Sequence, residues 1–330
     1  MIKVGIVGAG GIGGWHAERW RQLPVQLAAF YDIEPARAEA LAVKYGGRAC
    51  GSVAELAAAV DLVDVCTVTT AHKEGVLAAA AAGKPVICEK PLALTVADGE
   101  EMIAACEAAG VPLFVAQVVR FFPQFARAKA VLDAGDIGEP GVIRTMRAGS
   151  APYLTGRKWF GDLSLSGGVI MDMGVHDIDF VRWCMGDVER VYAVGNRAGL
   201  DHVLLTLRFA SGAVGHIESS WLHPAGEFRT AFEIAGTAGL LEWDSGNDRP
   251  VQLGVTGAAG VERRRESPLA PADDPYYAEL AHFLDCLENG TPCRVTPQDG
   301  LMAVKVARAA LASLRRGEPV TLAEFTEVVS

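Results

Sequence analysis

The chain opens on a short β-branched run, Ile2-Lys3-Val4-Gly5-Ile6-Val7, that breaks into Gly8-Ala9-Gly10-Gly11-Ile12-Gly13. This G-x-G-x-x-G constrains the fold more than any other feature, because its context comes with it. A helix-compatible stretch follows from Ile12 to Gln22. A second apolar run, Val25 to Tyr31, then ends in Asp32, about twenty residues past the motif. Strand, glycine turn, helix, strand and acid, in that order, make a dinucleotide-binding βαβ unit. Gly8 permits the tight strand-to-helix turn, Gly10 leaves room for a pyrophosphate against the backbone, and Gly13 lets the helix pack close to the strand. The pyrophosphate is expected on the helix N-terminus, where free N–H groups favour negative charge. The Asp32 carboxylate accepts hydrogen bonds from ribose hydroxyls and repels a 2′-phosphate. With Ile33 next in the chain and no Arg beside the acid, NAD is favoured over NADP.

The 330 residues suffice for two domains with sizeable cores. A net charge of −10 argues against a nucleic-acid binder, which usually carries a basic face. The seven cysteines, at 50, 66, 88, 106, 184, 286 and 293, show no C-x-x-C spacing. Their odd number, and the apolar runs around several of them, fit free thiols in a reducing compartment. The first strand begins at once, so no signal peptide is visible, and the Ala-rich stretch around Gly75 to Gly83 is too short to span a bilayer. A cytoplasmic location is expected.

Residues 1–120 alternate short apolar runs with helical patterns. Strands are expected at 2–7, 25–31, 61–66, 85–88 and 113–117, and helices at 12–22, 35–45, 71–82 and 96–109. The strands are apolar nearly throughout, as when helices cover both faces of a parallel sheet. The expected first domain is therefore an α/β, doubly wound Rossmann domain spanning 1–120. From there to residue 330 the pattern changes. A helix at 125–134 is followed by alternating runs at 188–195, 201–209, 213–221, 229–235 and 239–243, separated by turn signals such as Ser211-Gly212. Helices at 276–288 and 297–316 close the chain. This predicts an α+β domain with a large, open, mostly antiparallel sheet, the last helix packing back toward the first domain. The runs Val203–Phe209 and Val214–Trp221 hold enough apolar side chains to cover two faces, which predicts a homodimer or homotetramer through that sheet.

Two further segments carry chemistry. Glu89-Lys90-Pro91 follows the strand at 85–88, so it lies at the C-terminal edge of the parallel sheet, where ligands of such sheets bind. A Lys there can reach both cofactor and a substrate hydroxyl, and the Pro rigidifies the corner and permits a cis bond. The tripeptide alone equally fits a solvated ion pair at a strand end. In the second segment, Asp172, His176 and Asp179 fall at i, i+4 and i+7, one polar stripe of a helix. An imidazole titrating near neutral pH beside a carboxylate suits a general base. An acidic N-cap followed by a satisfied surface histidine would leave the same pattern. No metal is expected, because the spacing is not H-E-x-x-H and no other ligand cluster is evident. His72 begins the helix at 71–82, where it either touches cofactor or caps the helix. His16, His202, His216, His223 and His282 carry no usable spacing.

Together these segments resemble the Gfo/Idh/MocA oxidoreductases, the glucose–fructose oxidoreductase and inositol dehydrogenase group. Gly8-x-Gly10-x-x-Gly13, Glu89-Lys90-Pro91 and Gly167-Gly168-x-x-x-Asp172-x-Gly174-x-His176-x-x-Asp179 stand in the family's order. Arg120-Phe121-Phe122-Pro123 is similar to the family's segment between domains, and 295–300 is similar to its closing segment. The resemblance implies that Lys90 contacts the nicotinamide ribose and the reacting hydroxyl. It further implies that Asp172 and His176 bind substrate, His176 being the general base. Cofactor contacts are then expected from Gly8, Gly10, Gly11, Ile12, Gly13, Asp32, Thr67, Thr69, His72, Glu89 and Lys90. Substrate contacts are expected from Arg120, Tyr153, Arg157, Trp159, Asp172 and His176, with Lys158 in the same loop. The chain departs from the family at Val68-Thr69-Thr70-Ala71, where Pro-Asn is common, and at Ser166, where many members have Gly. The implied activity is NAD-dependent oxidation of a polyol, inositol or sugar hydroxyl. A glycoside hydrolase or epimerase with transient oxidation is the alternative, and a non-catalytic NAD-binding regulator a lesser one.

Overall fold

In the computed structural model the described residues are 1–247, 251–257, 260–266 and 274–327. They form two compact units, one made of Met1–Val118 with Asp274–Leu301, the other of Val119–Asp273 with Met302–Ser330. The chain thus returns to its first unit after leaving it. The returning part is helix α9 (Pro275–Asn289) and the first turn of α10 (Pro297–Arg316), while the rest of α10 groups with the second unit.

The first unit is built from β1 (Ile2–Val7), α1 (Gly11–Trp20), β2 (Val25–Tyr31), α2 (Pro35–Tyr45), β3 (Arg48–Ala49), α3 (Val53–Ala59), β4 (Leu62–Val65), α4 (His72–Ala81), β5 (Val86–Glu89), α5 (Val96–Ala109) and β6 (Leu113–Ala116). Its six strands run parallel in the order β3-β2-β1-β4-β5-β6. The order reverses between β1 and β4, and that switch point is where doubly wound sheets hold ligands. All four residues of β4, β5 and β6 are buried, as the unbroken apolar runs require of a sheet covered on both faces. One of them is Asp64, a carboxylate in the run Leu-Val-Asp-Val. Ser52 and Thr95 accept hydrogen bonds from the Glu55 and Asp98 amides and so cap α3 and α5. Against the sheet, Phe114 and Phe283 of α9 stack with centroids 5.1 Å apart.

The second unit holds α6 (Pro123–Asp133), β7 (Pro140–Gly149), α7 (Leu163–Ser166), α8 (Val175–Met185), β8 (Val188–Asn196), β9 (His202–Phe209), β10 (Val214–Ser220), β11 (Phe228–Gly236), β12 (Gly239–Asp244), β13 (Val251–Gly257), β14 (Gly260–Glu266) and β15 (Val320–Thr321). These strands make a nine-stranded sheet in the order β14-β13-β12-β11-β7-β10-β9-β8-β15. Every ladder is antiparallel except β7 with β10, because β7 comes from a distant part of the chain and needs no hairpin. In β9 the inward set is Val203, Leu205, Leu207 and Phe209, and the intervening residues face outward. Helix α8 lies on the inner face. Its Phe180 meets Phe125 of α6 edge-on at 4.8 Å and Phe232 of β11 at 5.7 Å. Each such ring buried is worth about 1.5–3 kcal/mol.

Candidate active site

At the turn from β1 into α1 each glycine has a measurable reason. Gly8 has φ +99, and a Cβ there would lie 2.7 Å from the backbone of Cys66 and Thr67. A Cβ at Gly13 would lie 1.9 Å from the Gly8 carbonyl oxygen. At Gly10 nothing stands within 4 Å, so an open space remains directly over the backbone. Helix α1 has no side-chain N-cap and no acid in its first turn, which leaves its first amides for an external anion.

Asp32 ends β2 and is fixed from below. Its Oδ2 accepts the Ala9 N–H at 2.7 Å and its Oδ1 the Glu34 N–H at 2.9 Å. A carboxylate has about four acceptor sites, so capacity remains for a ribose diol. Ile33 is 88% exposed, and the next cation along the chain, Arg37, is paired with Glu34 at 2.8 Å. A glycine cradle, an uncapped helix start and an anchored acid together fit a dinucleotide with a free 2′-hydroxyl.

Lys90 is half-buried at the end of β5, and the Lys90–Pro91 bond is cis. Its backbone N–H donates to Glu89 Oε2 at 3.0 Å. Glu89 is buried. His72 is also buried, Nδ1 being 3.0 Å from the Pro91 carbonyl and Nε2 3.2 Å from that of Thr67. Burial lowers its pKa, and the carboxylate of Glu89 and the surrounding carbonyls only partly oppose this. Its ring therefore joins the loop at 67–72 to the corner at 90–92, and Thr69 is buried in the same loop.

In the second unit, Asp172 sits on a π-helical turn, Ile170–Gly174, and His176 on the first turn of α8. Both are half-buried. Such turns recur at functional sites because the extra residue re-aims the side chains that follow. Asp179, expected on the same stripe, is fully buried and takes Arg120 bidentately, at 2.8 Å to Nε and 2.6 Å to Nη2. Arg120, expected against substrate, is only 2% exposed in that pair. Asp177 similarly holds Arg147 at 2.7 Å. Tyr153 donates its hydroxyl to Asp201 at 2.6 Å, and Arg197 reaches Asp201 at 2.8 Å. The Asp201 hydrogen bond raises the tyrosine pKa. Arg157 and Lys158 are exposed, while Trp159 stacks on Phe160 with centroids 3.9 Å apart.

Two groups bring possible metal-ligand atoms within 4.8 Å of one another, His282–Cys286–Cys293 and His16–Asp64–Cys66. In the first, His282 Nε2 accepts the Arg294 N–H at 2.9 Å and Cys293 donates to the Val295 carbonyl at 3.1 Å. In the second, Asp64 accepts the Trp20 indole N–H at 2.7 Å and lies 3.0 Å from His16 Nδ1. Most of these donors and acceptors satisfy each other within the protein, while His16 Nε2 makes no hydrogen bond. The buried His16 ring carried no sequence spacing. The signal for it was Asp64 in an apolar strand, since a buried carboxylate requires a partner.

Residues 2–117 match the oxidoreductase family with an NAD-binding Rossmann fold, and residues 125–242 match the Gfo/Idh/MocA C-terminal domain. The chain is 33% identical to the myo-inositol 2-dehydrogenase of Thermotoga maritima, over 98% of this chain and 99% of that one. The chain belongs to the Gfo/Idh/MocA oxidoreductase family. It is 30% identical to the D-apiose dehydrogenase of Paraburkholderia graminis, over 97% of this chain and 90% of the other. Among solved structures, an oxidoreductase from Agrobacterium radiobacter in complex with NAD+, L-tartaric acid and magnesium superposes with a TM-score of 0.86 at 27% identity, covering 98% of each chain. The matched Rossmann domain is an NAD-binding one, and the chain is an NAD-dependent oxidoreductase.

Proposed function

We propose that the chain oxidises a secondary hydroxyl of a polyol, inositol or sugar to the ketone. The observation that carries this reading is the full-length likeness to a myo-inositol 2-dehydrogenase, 33% identical over 98% of the chain. Bound NAD supplies the hydride acceptor at its nicotinamide ring. The chain supplies the rest. Asp32 holds the adenosine ribose hydroxyls, and the glycine cradle with the α1 amides receives the pyrophosphate. Lys90 contacts the reacting hydroxyl and stabilises the negative charge that develops on its oxygen. His176 takes the hydroxyl proton and later releases it to water. Asp172 orients substrate and imidazole together, and Arg157 and Trp159 touch the outer part of the substrate. Arg120 acts through Asp179, keeping α8 in place behind His176. His72 acts through the loop carrying Thr67 and Thr69, which contacts the cofactor.

A panel of inositols, aldoses and sugar acids, each with NAD and with NADP, tests the reading by absorbance at the NADH band. Accumulation of NADH with a cyclic polyol or sugar, and a higher kcat/KM for NAD, is the expected result. No net NADH from any of them overturns it. We further propose a homo-oligomer formed through the nine-stranded sheet, supported by apolar side chains on the outward face of that sheet. A cytoplasmic setting is proposed from the seven unpaired thiols. Among the described residues no helix is long and apolar enough to cross a membrane.

A further inference from the structure

Helix α1 carries a buried titratable group just past the glycine cradle. His16, one turn past Gly13, is fully buried. Its Nδ1 lies 3.0 Å and 3.2 Å from the two oxygens of Asp64 on β4. Its Nε2 lies 3.1 Å from Glu89 Oε1 on β5. That second contact runs off the line of an N–H bond, so it is an ion-pair contact without being a linear hydrogen bond. Asp64 also receives the Trp20 indole and the Cys66 thiol, at 2.7 Å and 3.3 Å. The other oxygen of Glu89 accepts the Lys90 N–H. The Tyr276 ring of α9 closes the remaining side, its centroid 6.3 Å away.

A neutral imidazole has one N–H and one lone pair. With the proton on Nδ1, the lone pair would face the Glu89 carboxylate. With the proton on Nε2, it would face Asp64. Only the doubly protonated ring puts positive charge against both, through an N–H on Asp64 and an ion-pair contact with Glu89, and only a cation there offsets two buried carboxylates. The carbonyls around His72 supply no such charge. We propose that His16 is a positioning residue, held as an imidazolium between Asp64 and Glu89, that orients Glu89 and through it the Lys90 corner. This rests on the role given to Lys90 above. The pKa agrees with the geometry. Burial alone would lower it, but the neighbouring Cys66 and Asp64 leave it well above the usual imidazole value. Burial raises the Cys66 pKa, so that thiol stays protonated at neutral pH and the raising charge is that of Asp64.

The test has two readouts. The first uses the full chain with 15N-labelled histidine and no cofactor. One histidine, identified by its loss in His16→Gln, should stay protonated on both ring nitrogens at about pH 8, above the ordinary histidine range. A neutral ring at that pH overturns the proposal. The second is kinetic, with the best substrate of the panel above. His16→Gln should lower kcat about tenfold to a hundredfold and shift its pH profile, with NAD affinity by fluorescence changed little. Glu89→Gln and the double variant complete a cycle, in which the double should lose no more than the worse single. A fall in melting temperature with kcat and pH profile unchanged means a structural role alone and overturns the proposal. If His16→Gln does not fold, Asp64→Asn should still release the second proton in the histidine spectrum, and failure to do so overturns it. Lys90→Ala is measured alongside. Should it keep normal kcat while the histidine result holds, the Lys90 assignment has failed and the charged centre has not.

Discussion

His176 and His16 are both imidazoles on helices, and their surroundings divide their tasks. His176 is half-buried at the start of α8, and the proposed function gives it the substrate proton. If it is the base, His176→Ala should cut kcat by roughly a hundredfold to ten-thousandfold, while NAD affinity by fluorescence titration stays near normal. A variant with normal kcat would remove His176 from the chemistry. His16 predicts a stability effect of definite sign. Its pKa is raised on folding, so its contribution is fully present below the unfolded value of about 6.5 and fades as pH rises through the folded value. The melting temperature should therefore fall on the alkaline side. The charge that sets this is that of Asp64, with Glu89 and the Cys66 thiol also facing the ring, and the fall should be shallower in His16→Gln, measured by thermal melts across that range.

At the scale of the elements, the glycine cradle makes a prediction that separates folding from binding. At Gly13 an added methyl meets the Gly8 carbonyl at 1.9 Å, a backbone atom that cannot swing away. Gly13→Ala should destabilise by about 1–3 kcal/mol and weaken NAD with it. At Gly10 the methyl meets no protein atom within 4 Å, and φ is −77, which alanine accepts. Gly10→Ala should therefore melt normally yet bind NAD poorly, because its methyl takes the space left for the pyrophosphate. Equal melting losses in both would contradict this account. These positions were legible in the sequence because their periods and turn residues are local. So were the parallel strands, whose apolar runs have no other use, and the alternating strands β8 to β12. The turn Ile170–Gly174 was not legible. An ordinary helical count puts Asp172, His176 and Asp179 on one stripe, but a π-helical turn changes the phase and α8 buries Asp179 against Arg120. Partners such as Arg120–Asp179 and His16–Glu89 lie 59 and 73 residues apart, and no local pattern encodes them. The return of Asp274–Leu301 to the first unit is equally non-local.

At the scale of the whole molecule the open question is what covers the outer face of the nine-stranded sheet. The inner face takes Val191, Ala193, Val203, Leu205, Leu207 and Ile217, all buried. The outward residues of the same strands include Tyr192, Val194 and Leu204, which are 37%, 45% and 45% exposed. Val194 and Leu204 are cross-strand partners, so their side chains form one patch. Outward His216 and Glu218 on β10 make that strand polar on this side, against the expectation that it could cover two faces with apolar groups. Beyond β10 the same sheet carries the ion pairs Arg144–Glu233 and Arg229–Asp244, which bring both signs of charge to one surface. A surface carrying its own complement suits a two-fold interface, in which each patch meets its copy. Size permits this. Nine strands about 4.8 Å apart, each about seven residues long, present roughly 900 Å², comparable to the ~800 Å² per partner of a stable interface. The expected result is a dimer or tetramer by light scattering at micromolar concentration. Leu204→Glu sets a charge into the apolar patch without touching the buried face. It should shift the protein toward monomer, with the NAD cradle of the first unit still binding cofactor. A parent already monomeric at that concentration would sink the sheet-mediated assembly, and a Leu204→Glu variant that stays oligomeric would move the interface to another surface.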